Sequence, residues 1–246
     1  APLPAWVFDG RDGVHTAEGS WSPKTGKYVP IRDLPVYKRQ AFRENVLGSQ
    51  APNAATAGKT LFEDANIRLW TLDDEVVIAS IKSKMHTISA EVTAGLAKGL
   101  AIAEAGYKGM VIWTQDGPFS AGADLQSMMP AFMSGGGKAI APFEKQLQDF
   151  MLSLRYSNVP TVAAMHGLAL GGGCELAVHA AKRVAAMETY VGLVEVGVGL
   201  IPGGGGLAYL ARRAAEQVEA SKGVSGMVGA ELMGFVKEGF QAAAMA

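Results

Sequence analysis

The apolar positions of the chain fall into two regimes. Over residues 1–65, Trp6, Phe8, Trp21, Tyr28 and Tyr37 stand singly among Gly, Pro, Asp and Lys, with neither a helical nor a strand period. Ser22-Pro23-Lys24-Thr25-Gly26-Lys27 predicts a turn closing a hairpin, Asp33-Leu34-Pro35 predicts a break, and the small polar stretch 49–59 reads as a linker. From residue 67 the pattern becomes regular. Residues 67–72 and 75–81 predict strands joined at Asp73-Asp74, and 89–105 predicts a helix capped by Ser89 and stopped by Gly106. Residues 109–114 read as a buried strand, 115–124 as a loop, and 125–132 as a short helix broken by glycines at 134–137. An amphipathic helix follows over 142–156. The apolar run 161–170 reads as one strand. It ends in Gly171, Gly172 and Gly173, where Cys174 begins a helix. A second apolar run, 191–201, leads to the glycine block 203–206. Helices are expected over 208–216 and 231–244, with a glycine-rich interruption at 221–229. Strands alternating with helices predict an α/β layered fold with its site at the carboxyl ends of the strands. The organisation expected is an N-terminal arm or inter-domain segment over 1–65 and one domain over 66–246. No internal repeat is apparent.

Composition narrows this picture. At 246 residues and 49% hydrophobic, the chain can bury a large core; a net charge of −1 with scattered basic residues argues against nucleic acid as partner. Glycine, at 31 residues, exceeds the usual share of about 7% and is clustered, which points to close backbone approaches. The single cysteine, Cys174, excludes a disulfide framework and suggests a reducing compartment, the cytoplasm. Residues 191–211 are apolar, but their glycines, Pro202 and Glu195 argue against a membrane span. The start, APLPAWVF, has no signal-peptide pattern and no initiating Met, so the chain is expected to be processed or cut from something longer.

Two features of 159–207 are chemically unusual. A strand running through three glycines into a helix brings backbone N–H groups up to a ligand at the positive end of a helix dipole. Glu175 and Glu195 lie in apolar surroundings, where a carboxylate is costly unless paired or used. Together they suggest an oxyanion hole beside acid/base groups. Other chemistries find no support. Gly135-Gly136-Gly137-Lys138 lacks the Ser/Thr of a phosphate loop, no G-x-G-x-x-G opens a helix, and no G-x-S-x-G is present. His15, His86, His166 and His179 lack metal-ligand spacing, so no metal is expected. Cys174 reads as an inert buried thiol. Met128, Met129, Phe132 and Met133 fit either an acyl pocket or ordinary core.

Phe119-Ser120-Ala121-Gly122-Ala123-Asp124-Leu125, followed by HGLALGGGCELA and VEVGVGLIPGGGG, is similar in order and spacing to the crotonase (enoyl-CoA hydratase/isomerase) superfamily, over about residues 67–212. The resemblance implies a fold of repeated ββα units, usually trimeric, that binds acyl-coenzyme A thioesters. It implies that the N–H groups of Ala123 and Gly172 form the oxyanion hole, that Glu175 and Glu195 are the catalytic pair, and that Lys84, His86, Ala121, Asp124 and Gly171 contact substrate. Asp124, on the residue alone, reads rather as a helix cap. Retention of both glutamates favours reversible hydration of trans-2-enoyl-CoA, with Δ3,Δ2-isomerisation or non-catalytic binding as alternatives. No cofactor is implied, coenzyme A being part of the substrate.

The chain departs from the family pattern at His86, which stands where an Asn is usual. It also departs in its arm at 1–65 and in its early end, where the family's closing helices would follow. These departures imply the hydratase part of a multifunctional fatty-acid β-oxidation protein. Its partner would be a further copy of itself or a joined dehydrogenase domain.

Overall fold

In a computed structural model the described residues are 8–10, 13–16, 18–30, 32, 34, 35 and 57–225. They divide into two compact units, Ala1–Gly58 and Lys59–Ala246. The first unit holds a small antiparallel sheet of β1 (His15–Thr16), β2 (Gly19–Ser22) and β3 (Lys27–Val29). β2 and β3 form the hairpin expected around Pro23 and Gly26. Trp21 and Tyr28, paired across the strands, meet edge to face with centroids 5.3 Å apart.

The second unit is built on a six-stranded sheet in the order β10-β8-β7-β6-β5-β4. β4 (Lys59–Glu63), β5 (Ile67–Thr71) and β6 (Val77–Ile81) run antiparallel. β7 (Met110–Trp113), β8 (Thr161–Met165) and β10 (Lys182–Ala185) continue parallel to β6. Parallel neighbours need crossovers, which helices supply. α1 (Ala90–Gly106) joins β6 to β7, α2 (Leu125–Arg155) joins β7 to β8, and α3 (Gly172–His179) precedes β10. β9 (Leu168–Leu170) pairs in parallel with β11 (Tyr190–Gly192), and α4 (Gly206–Ser225) follows. The core lies between sheet and helices, where Ile67, Leu69, Val77, Leu96, Ile112, Phe119, Leu154 and Leu176 are buried. Ser89 caps α1 as expected, its side chain accepting from Val92 N at 3.3 Å.

Four expectations need correction. The apolar run 161–170 is two strands, because Gly167 turns the chain with φ of +59° between β8 and β9. The small polar stretch ends in a strand, β4, which among the described residues pairs with β5 alone. The short helix 125–132 and the helix 142–156 are one long element kinked at Gly136, with φ 59° and ψ −150°. α4 runs on to Ser225, past the start of the expected interruption. The helix expected over 231–244 lies outside the described residues.

Candidate active site

The loop from Thr114 to Asp124 leaves the carboxyl end of β7, and β9 ends beside it in the three glycines. Isolated bridges lock the two together and to the turn before α1: Ser120 pairs with Ala169, and Ile88 with Ala123. The Ile88 bridge uses the carbonyl of Gly122 and the N–H of Asp124, at 2.8 and 3.0 Å. The N–H of Ala123 therefore points the other way. Gly172 opens α3, so its N–H is one of the helix's unsatisfied donors. The two donors are neighbours. A β-carbon on Gly172 would stand 3.3 Å from Ala123 N, and one on Gly122 would stand 3.3 Å from Gly172 N. Gly122 (φ +98°) and Gly171 (φ +51°) adopt backbone that other residues rarely take, which fixes glycine at the approach.

Glu175 lies one turn into α3 and is buried. Its Oε1 accepts from Gly206 N at 2.8 Å, and a β-carbon on Gly204 would collide with its Oε2. Burial pushes its carboxyl up to about 7; the Gly206 N–H opposes that rise and neighbouring Glu195 adds to it. Glu195 opens a 3-10 turn, Glu195–Val198, after β11. Its Oε1 is 3.2 Å from where a β-carbon of Gly171 would be, and its Oε2 is buried without a hydrogen-bond partner. Burial raises this carboxyl too. Cys174, next to Glu175 in the chain, is pushed to about 12 by burial and by both glutamates, so it stays a thiol. His179 donates through Nδ1 to the Glu175 carbonyl at 2.7 Å, tying the end of α3 to its start; burial lowers its pKa.

The remaining residues singled out in the sequence surround this core. Asp124 caps α2, accepting from Gln126 N and Ser127 N at 3.2 Å each. Ala121 N donates to the carbonyl of Met85 at 3.1 Å. Met85 and His86 both have positive φ, 53° and 51°, in the turn Lys84–His86. His86 Nδ1 donates to the Pro118 carbonyl at 2.6 Å, and the His86 carbonyl accepts from Ser120 Oγ at 2.7 Å. His86 thus fastens its turn to the loop that follows β7. Lys84 is exposed in the same turn. Gly171 N donates to the Gly192 carbonyl at 2.8 Å, which holds β11, and with it Glu195, against the glycines. Met129, Phe132 and Met133 project from the first half of α2 and are 48 to 75% exposed, so they are not core.

A third carboxylate stands at the site that the sequence reading missed. Glu144 on α2 raises the pKa of both Glu175 and Glu195, and burial raises its own. A signal for it exists in the sequence: Glu144 is in helical phase with the buried Leu147, Met151 and Leu154. Among the described residues no group of His, Cys, Asp and Glu could hold a metal ion, and no helix is long and apolar enough to cross a membrane.

Residues 75–225 match the enoyl-CoA hydratase/isomerase family. The chain belongs to that family. Members of this family are also its structural neighbours. An enoyl-CoA hydratase from Thermoplasma volcanium superposes with a TM-score of 0.54 at 27% identity, covering 62% of this chain and 60% of that one. The layered sheets and helices are accordingly the crotonase fold. Among relatives by sequence, a Bacillus subtilis protein described as a "Probable 3-hydroxyacyl-CoA dehydrogenase" is 38% identical over 206 residues, 84% of this chain and 26% of its own length. The "Peroxisomal bifunctional enzyme" of Cavia porcellus is 36% identical over 130 residues, 52% of this chain and 17% of its own. The chain thus spans about a quarter or less of the length of these curated relatives.

Proposed function

We propose that the chain hydrates trans-2-enoyl-CoA reversibly to 3-hydroxyacyl-CoA, as one activity of a multifunctional fatty-acid oxidation protein. The observation that carries this reading is the pairing of two adjacent N–H groups, those of Ala123 and Gly172, with buried Glu175 and half-buried Glu195, both of raised pKa. The N–H groups of Ala123 and Gly172 receive the thioester oxygen as it gains charge in an enolate-like state; losing one such donor typically costs about 2.7–4 kcal/mol. Glu175, ionised, takes a proton from water as its oxygen attacks Cβ. Glu195, protonated, delivers a proton to Cα. Water thus adds across the double bond, and a proton passing from Glu175 to Glu195 resets the pair. Glu175, raised to about 7, can give and take a proton near neutral pH, and burial favours the protonated form of Glu195 that the second task needs. Lys84 offers its exposed ammonium to a phosphate of coenzyme A, and His86, Ala121, Asp124 and Gly171 hold the loops that shape the site. The reaction as written uses no metal or redox cofactor.

The test is the loss of enoyl-thioester absorbance when crotonyl-CoA is added. Glu175→Gln and Glu195→Gln are each expected to lower kcat by roughly 10²–10⁴-fold, with KM little changed. Wild-type binding of the ester without turnover would replace this reading with a non-catalytic acyl-CoA module. Conversion of a 3-enoyl-CoA without hydration would replace it with an isomerase.

A further inference from the structure

Two carboxyl oxygens at the site are buried without a hydrogen-bond partner, one on Glu195 and one on Glu144. The hydration reading uses the first, which handles a proton. It leaves the second without a task. An unsatisfied buried acceptor is costly, so one that is kept calls for a donor the chain does not supply.

Glu144 is half-buried. It lies on α2 beyond the Gly136 kink, three residues before buried Leu147 and seven before buried Met151, on the helix face that those apolar side chains share. Its Oε2 is 2.7 Å from where a β-carbon of Gly203 would stand, so glycine at 203 leaves the carboxyl its room. The Gly203 carbonyl is itself fixed by Gln148 Nε2 at 2.7 Å. Contacts with the glycines set the three acids in series: Glu195 against Gly171, next to the oxyanion donor, Glu175 against Gly204 and Gly206, and Glu144 against Gly203.

Resting on the hydration reading, we infer that Glu144 is a specificity-determining residue that pairs with a hydroxyl on the acyl chain, at Cγ or beyond, of an enoyl-CoA substrate. Burial raises the pKa of this carboxyl, and its unpartnered Oε2 can accept from a hydroxyl, whereas a plain alkyl chain leaves it orphaned. The favoured substrate class is therefore a hydroxylated 2-enoyl thioester.

The experiment compares kcat/KM for γ-hydroxycrotonyl-CoA with that for crotonyl-CoA in the wild type, Glu144→Gln and Glu144→Leu. The wild type is expected to favour the hydroxylated ester by about tenfold or more, and Glu144→Leu to remove that preference. Glu144→Gln, which still donates and accepts, keeps most of it. A purely structural role would depress both esters together and leave the ratio fixed, which would overturn the inference. So would a wild-type ratio near one, with hydration of crotonyl-CoA itself still standing. Turnover of neither ester by the wild type would overturn both readings.

Discussion

At the scale of single residues, the glutamates tie stability to pH. Burial holds Glu175 at about 7 against an ordinary 4.5, so the folded chain binds that proton more tightly than the unfolded one. The contribution is complete below pH 4.5 and is lost as pH rises through about 7, a difference of about 3 kcal/mol. Glu175→Gln retains an acceptor for Gly206 N and has no charge to bury. It is expected to melt several degrees above the wild type at about pH 8, with the gap closing toward about pH 5. A gap independent of pH would refute the assignment. In the wild type, kcat/KM should fall below about pH 7 as Glu175 takes its proton. Glu175 and Glu195 were legible in the sequence because each is a lone charge in an apolar stretch. Glu144 was not, because Lys145, Gln148 and Asp149 around it make the helix look like an ordinary solvated face. Only its phase relative to Leu147 and Met151 sets it apart.

At the scale of elements, fit between α1 and β5 sets a limit that helix propensity does not. Gly95 and Gly99 lie on the buried face of α1, where a β-carbon on Gly95 would stand 2.5 Å from Ile67 Cγ2 and one on Gly99 2.8 Å from Leu69 Cδ2. Alanine in a helix gains about 1 kcal/mol over glycine, while overpacking a filled core costs about 1–3 kcal/mol. Gly95→Ala is therefore expected to lower the denaturant midpoint, and a raised midpoint would show that Ile67 yields easily. The strands and the helix of 67–114 were readable because their apolar periods are clean. The division of 161–170 into β8 and β9 was not. Both halves are apolar, and only the backbone turn at Gly167 separates them. β4 escaped notice because Lys59-Thr60-Leu61-Phe62-Glu63 follows a polar stretch and gains its identity from pairing with β5.

At the scale of the whole molecule, the segment from β10 to the second glycine block carries much exposed apolar surface. Among the described residues, Val184, Met187, Val196, Val198 and Ile201 are each more than 60% exposed. Patches of this kind usually meet a partner. Self-association is the expected use, and Val198→Asp combined with Ile201→Asp should reduce the mass seen by sedimentation. An unchanged mass would assign that surface to something other than a second copy. The α/β class followed from element order alone. The assembly did not, because exposure is a property of the folded surface and leaves no period in the chain.

The thiol beside Glu175 gives the molecule a built-in clock. Cys174 is buried and held at about 12, so an alkylating reagent reaches it only when α3 opens. The rate of its labelling then measures how often the helix that carries Glu175 comes loose. An acyl-CoA seated against Gly172 should slow that clock, so occupancy can be followed in a mass spectrometer without any turnover at all.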